Sequence, residues 1–141
     1  MELRRIYEKL RKLSPSGAEI LGAHIEGPYI SIAKKGAQPV ENIMTSFDEK
    51  DADFFSRNAD VLKIVTLCPA TKNAVALVKA IVGNGIKAQA GHDDSIDDQI
   101  IRQAKSSKFI KILSFSILRY SFSKSRHNFF NFSIIFNSSS I

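Results

Sequence analysis

Apolar residues alternate between helical and strand spacing along the first 107 positions of this chain, and polar breaks separate the two patterns. Leu3, Ile6, Leu10 and Leu13 recur at helical intervals among Glu2, Arg4, Arg5, Lys9, Arg11 and Lys12, which predicts an amphipathic helix over 2–13. Ser14-Pro15-Ser16-Gly17 stops it, and the small apolar residues that follow predict a strand over 19–25. After a long loop from Glu26 to about Thr45, Ser46-Phe47-Asp48-Glu49 has the form of a capping box and predicts a helix to about Asn58. Val61-Leu62-Lys63-Ile64-Val65-Thr66-Leu67 is nearly continuous and β-branched, the pattern of a strand covered on both faces in a parallel sheet.

Thr71 is the expected cap of the next helix, with Ala74, Val75, Leu77, Val78 and Ile81 on its apolar side and Gly83-Asn84-Gly85 at its end. Ile86 to Ala90 reads as a further strand. Asp93-Asp94-Ser95 then opens a last helix, with Ile96, Ile100, Ile101 and Ala104 facing inward and its acids favouring the helix dipole. Helix and strand alternate throughout, which argues for an α/β fold of parallel βα units: strands 19–25, 61–67 and 86–90 side by side in that order, helices on one face. No solenoid-type repeat is present.

At Lys108 the composition changes. Residues 108–141 contain no Ala, Gly, Pro, Val, Thr, Asp or Glu, yet hold seven of the ten Phe and nine Ser. The net charge of +6 belongs to this segment: residues 1–107 carry 15 basic and 14 acidic residues, while 108–141 carry five basic residues and no acid. The chain therefore divides into a 1–107 segment of βα units and a Ser/Phe/Ile-rich basic tail over 108–141. A segment lacking glycine for turns and acids for helix starts has the composition of AT-rich coding sequence read in a shifted frame, which points to a frameshift near Ser107; a low-complexity extension is the alternative reading. The single Cys68 excludes an internal disulfide and fits a reducing cytoplasm; it reads as packing at a strand end. Met1–Leu13 has no signal-peptide core, and no stretch reaches the roughly 20 apolar residues of a membrane span.

The candidate chemistry lies at strand ends. Glu26 ends the first strand immediately before Gly27-Pro28, which gives a carboxylate a fixed direction, and Gly91-His92 ends the third just before a helix. In a parallel α/β sheet both groups can meet at one mouth, and a carboxylate with an imidazole is a donor pair for a divalent cation. An ordinary loop carboxylate and a histidine beside a helix start are the alternative reading. His24, two residues before Glu26, shares its face, where it either orients Glu26 as a supporting contact or is a hydrogen-bonded core histidine.

His24-Ile25-Glu26-Gly27-Pro28-Tyr29, Lys35-Gly36-Ala37-Gln38, Val65-Thr66-Leu67-Cys68-Pro69 and Gly91-His92, in this order, resemble the N-acetylglucosamine-6-phosphate deacetylase family of the amidohydrolase superfamily. The resemblance covers residues 1 to 107 only. It implies a TIM-type (β/α) barrel, of which about three units fall in this chain, since such barrels typically need about 250 residues. It also implies metal-dependent removal of acetate from N-acetyl-D-glucosamine 6-phosphate in amino-sugar catabolism. Glu26 and His92 would be metal ligands and Ala37 and Gln38 substrate contacts, with relatives often carrying His in place of Gln38. The cofactor would be one divalent ion, with zinc, iron, manganese and cobalt not distinguished.

A catalytic Asp and a further ligand His would lie beyond the matching region. His127, in Arg126-His127-Asn128-Phe129-Phe130-Asn131, lacks the strand-and-turn context of that second ligand. Lys34 and Lys35 read as a solvated basic loop that can also attract a phosphate. The expected partner is a small amino-sugar phosphate, with no nucleic acid, no membrane span and an oligomer in the intact family. Two other readings stand beside the enzyme: a catalytically inactive remnant, and an interaction module whose basic aromatic tail binds a membrane or nucleic acid. Reading the coding DNA downstream of codon 107 in the other two frames should yield a Thr-His-hydrophobic-Phe-Asn stretch followed by an Asp; stop codons in both would remove the frameshift account.

Overall fold

The computed structural model describes residues 2–13, 19–93 and 131–137. Helix α1 (Glu2–Leu13) precedes strand β1 (Glu19–Glu26), helix α2 (Ala52–Asn58), strand β2 (Leu62–Leu67), helix α3 (Ala74–Gly83), strand β3 (Lys87–Ala90) and strand β4 (Asn131–Asn137). The sheet order is β3-β2-β1-β4. As the alternating pattern requires, β1, β2 and β3 are parallel and adjacent in sequence order. They form an open sheet. The helix expected from Asp93 onward lies outside the described residues, as do His127 and the rest of 108–130 and 138–141. No helix among the described residues is long and apolar enough to cross a membrane.

Strand β4 falls in the segment where no strand was expected. It runs antiparallel to β1, with Ile25 opposite Phe132 and Glu26 opposite Asn131. Its Phe132-Ser133-Ile134-Ile135-Phe136 core consists largely of aromatic and β-branched residues, which suit a pleated surface whatever their origin.

The core lies between the sheet and helices α2 and α3. Ala23, Ile25, Val65, Leu67 and Ala88 from the strands meet Phe55, Leu77, Val78 and Ile81 from the helices, all in one cluster. Each large apolar side chain removed from water contributes about 1.5–3 kcal/mol, and Leu62, Leu67, Leu77 and Ile81 are fully buried. Leu3 and Tyr7 of α1 pack against the same cluster. Arg4 fastens this helix with two bonds to Asp60, 2.6 and 2.7 Å, and a third to the Arg57 carbonyl. The Asp60 pair is exposed, so it contributes little beyond holding α1 in place.

Three local expectations are corrected. Ser46 does not cap α2, because its backbone is extended and bridges to Lys72, with Phe47 N donating to Lys72 O at 3.0 Å. Asp48 caps instead, accepting from Lys50 N at 3.1 Å at the start of a 3₁₀ turn (Glu49–Asp51) that leads into α2. At α3 the cap position is Asn73 rather than Thr71, in the left-handed region at φ 64°; its side-chain amide donates to Phe47 O at 3.0 Å and accepts from no N–H of the helix. Val75 is 55% exposed: with the helix starting at Ala74, the inward stripe is Leu77, Val78 and Ile81.

Two glycines have opposite requirements. A Cβ on Gly22 would stand 2.5 Å from Val61 O and 2.4 Å from Lys63 Cγ, because β1 presses directly on the β2 entry. At Gly83, the last residue of α3, a Cβ would meet nothing within 4 Å. Gly22→Ala should therefore lower stability by about 1–3 kcal/mol. Gly83→Ala should raise it by about 0.5–1 kcal/mol. Urea unfolding of the two variants checks both signs.

Candidate metal centre

Along β1 the side chains alternate, so Ala23 and Ile25 enter the core while His24 and Glu26 project from the opposite face. The pairing of β1 with β2 shifts between Ala23 and His24, which sets His24 opposite Ile64 and Glu26 opposite Thr66. Gly27 N then donates to Thr66 O at 2.9 Å, and pairing resumes past Pro28 when Cys68 N donates to Tyr29 O at 2.7 Å. Tyr29 is buried edge-on against Phe47, and its hydroxyl donates to Asp51. Burial first, then the Asp51 charge, raises its phenol well above the ordinary range. The segment carrying Glu26 is thus anchored on both sides.

His92 arrives from the end of β3. Gly91 N donates to Leu67 O at 2.9 Å, and a Cβ on Gly91 would stand 2.7 Å from Thr66 Cγ2, so only glycine lets the chain pass this close to β2. His92 itself is left-handed, at φ 52°. Its main-chain oxygen accepts from Ser31 N at 3.1 Å, and its ring Nδ1 donates to Lys34 O at 2.6 Å. Because a carbonyl only accepts, the Nδ1 bond defines the tautomer. Nε2 then faces Glu26 Oε1 in direct contact, both side chains being 22% exposed. In the neutral ring this tautomer aims a lone pair at a carboxylate, so a positive charge between the two, either a proton or a cation, is what makes the contact attractive.

The remaining candidates take other places. His24 is buried, its Nε2 2.7 Å from Thr66 Oγ1, so it braces β1 against β2. Burial lowers its pKa, and the nearby Glu26 charge opposes that shift. Gln38 is also buried, and its Nε2 donates to the Glu26 main-chain oxygen at 3.3 Å; Ala37 beside it is exposed. Cys68 is buried with its thiol donating to Asp93 Oδ1 at 3.3 Å. Lys35 Nζ donates to Gly36 O at 3.2 Å. Among the described residues no group of three His, Cys, Asp or Glu side chains comes together.

Sequence reasoning missed Lys34 O, Ser31 N and Thr66. The first two are main-chain atoms that any residue type supplies, so nothing in the residue identities marks them. Thr66 did carry a signal, a hydroxyl inside an otherwise apolar strand, of the kind that buried strands keep only when it is hydrogen-bonded.

A strand-end carboxylate facing an imidazole whose other nitrogen is held by a carbonyl is an arrangement seen in metal-dependent hydrolases. The central part of this chain is similar to N-acetylglucosamine-6-phosphate deacetylases. It is 34% identical to that of Lysinibacillus sphaericus over 83 residues, 59% of this chain and 21% of the relative. It is 35% identical to that of Bacillus subtilis over 91 residues, 64% of this chain and 23% of the relative. The human enzyme is 34% identical over 80 residues, 55% of this chain and 20% of the relative.

The chain thus matches about a fifth of the length of these relatives. The crystal structure of N-acetylglucosamine-6-phosphate deacetylase from Pasteurella multocida superposes with a TM-score of 0.62 at 27% identity, covering 74% of this chain and 26% of that one. No family model matches.

The His24 shift gives a pH prediction. With the folded pKa below the unfolded 6.5, the unfolded chain binds more protons below that pH. The contribution of His24 to stability is therefore complete above pH 6.5 and lost as pH falls through the depressed value. In denaturant titrations at about pH 7.5 and about pH 5.5, the stability advantage of the parent over His24→Gln should shrink at the lower pH, at up to about 1.4 kcal/mol per pH unit. An advantage that grows on acidification would contradict a neutral, buried His24.

Proposed function

We propose that residues 1–107 are the part of an N-acetylglucosamine-6-phosphate deacetylase barrel that supplies two ligands of its divalent metal, Glu26 and His92. The observation that carries this reading is the His92 ring, held through Nδ1 on Lys34 O so that Nε2 faces Glu26. The donor set fits such an ion: one carboxylate oxygen and one imidazole nitrogen of defined tautomer, both partly open to solvent. When bound there, a divalent ion supplies Lewis-acid polarisation of the acetamide carbonyl and a more acidic water.

The contribution of this chain is positional. Glu26 is fixed by the β1–β2 register, and His92 by the Lys34 and Ser31 main chain. Ala37 and Gln38 are the proposed contacts to the amino-sugar phosphate, a reading supported by the position of Gln38 beside the Glu26 main chain. The proton transfers need an acid-base group, expected as an Asp beyond the matching residues.

A second reading, the inactive remnant, is favoured by the donor count. Two ligands from the described residues are fewer than the three of a catalytic zinc site, so the isolated chain should hold an ion weakly and turn over poorly. Acetate release from N-acetylglucosamine 6-phosphate with added zinc should be absent for the 141-residue chain and present for a version with the frame restored after codon 107. In the restored version Glu26→Gln should lower turnover by more than about 100-fold, the upper end of what loss of a supporting contact costs. Metal-dependent turnover by the unmodified chain, abolished by Glu26→Gln, would overturn the remnant reading. A restored chain that binds zinc but releases no acetate would overturn the deacetylase assignment.

A further inference from the structure

The loop from Ser31 to Gln38 touches both proposed ligands. It meets His92 twice, Ser31 N donating to His92 O at 3.1 Å and Lys34 O accepting from His92 Nδ1 at 2.6 Å. It meets Glu26 once, through the Gln38 side chain, whose Nε2 donates to Glu26 O at 3.3 Å. Within the loop, Lys34 N donates to Ser31 O and Gln38 N to Lys35 O, both at 3.2 Å. The contacts to the two ligands therefore belong to one short hydrogen-bonded segment.

Gln38 is the element of this segment chosen by sequence rather than by backbone. It is 7% exposed although it lies between exposed Ala37 and Pro39. A long polar side chain turned inward from an exposed loop loses hydration and rotamer freedom, and its hydrogen bond offsets that cost. Gly27 makes the room: a Cβ there would lie 3.1 Å from Gln38 Oε1 and 3.7 Å from Nε2, and its φ of +87° is itself unsuited to other residues.

We infer that Gln38 is a positioning residue that ties the two ligands together. Its amide holds the loop against the end of β1, and the loop in turn sets the tautomer and direction of the His92 ring. The role rests on the metal reading of Glu26 and His92. It is separate from any main-chain contact that residues 37 and 38 make to substrate. Its chemistry requires an N–H donor at position 38, which Gln and His can supply and Ala, Leu and Glu cannot.

The test uses the full 141-residue chain and cobalt(II), whose visible absorption reports the ligand field without catalysis. The parent, Glu26→Gln, Gln38→Ala and Gln38→His are titrated with cobalt. Each metal-free protein is also studied by nitrogen-15 NMR of the His92 ring, assigned with a His92→Gln control. Gln38→Ala should weaken cobalt binding by about tenfold or more, the range expected for loss of a contact that orients a ligand. It should also remove the signature of a hydrogen-bonded Nδ1 proton, leaving the far-ultraviolet circular dichroism unchanged. Gln38→His should restore both signals.

Parent-like cobalt affinity and a parent-like His92 ring in Gln38→Ala would overturn the positioning role, leaving the metal reading intact if Glu26→Gln still abolishes binding. A cobalt isotherm unaffected by Glu26→Gln would overturn the metal reading and the inference with it. Equal loss of the ring signal in Gln38→His and Gln38→Ala would show that a donor at position 38 is not what matters, and would also overturn it.

Discussion

The carboxyl-end mouth depends on the register in which β1 lies on β2. Side chains of a strand alternate between faces, so a slip of one residue would turn Glu26 into the apolar layer and bring Ile25 out beside His92. Register is held where slippage costs most. Ala23 and Ile25 fill the core on one face, and the His24 to Thr66 bond joins the two strands on the other. The shift between Ala23 and His24 then brings the Gly27 amide onto Thr66 O, so the turn that aims Glu26 begins from a fixed point.

Burial and charge are divided between the two histidines. His24 lies inside and is kept neutral by desolvation, which makes it useful as a rigid strut but a poor cation. His92 is partly open and has its proton fixed on the nitrogen facing away from Glu26, which leaves Nε2 toward the mouth. Two residues of one type thus serve in different capacities because one sits within a strand and the other just past a strand end. Chemical type alone would not have separated them.

The three parallel strands were legible in the sequence because continuous β-branched runs and small-residue turns are local signals with a direct steric cause. The meeting of Glu26 with His92 was legible as far as both close strands of a parallel sheet. What could not be read were features decided by the backbone: the Lys34 carbonyl, and the caps at Asp48 and Asn73, where pairing around Ser46 and Lys72 overrode the local capping pattern. Strand β4 escaped for another reason. The composition of 108–141 sets the segment apart from the rest of the chain, whereas strand formation asks only for branched and aromatic side chains beside an available edge.

A sheet grows by adding neighbours at its margins, and each margin accepts one neighbour at a time. With β4 laid antiparallel along β1, the amino-terminal side of the parallel series is already occupied, while among the described residues β3 has a partner only on its β2 side. A further strand can therefore join the series beside β1 only by displacing β4. In assembly terms β4 is a chain terminator: it ends the parallel series at β1.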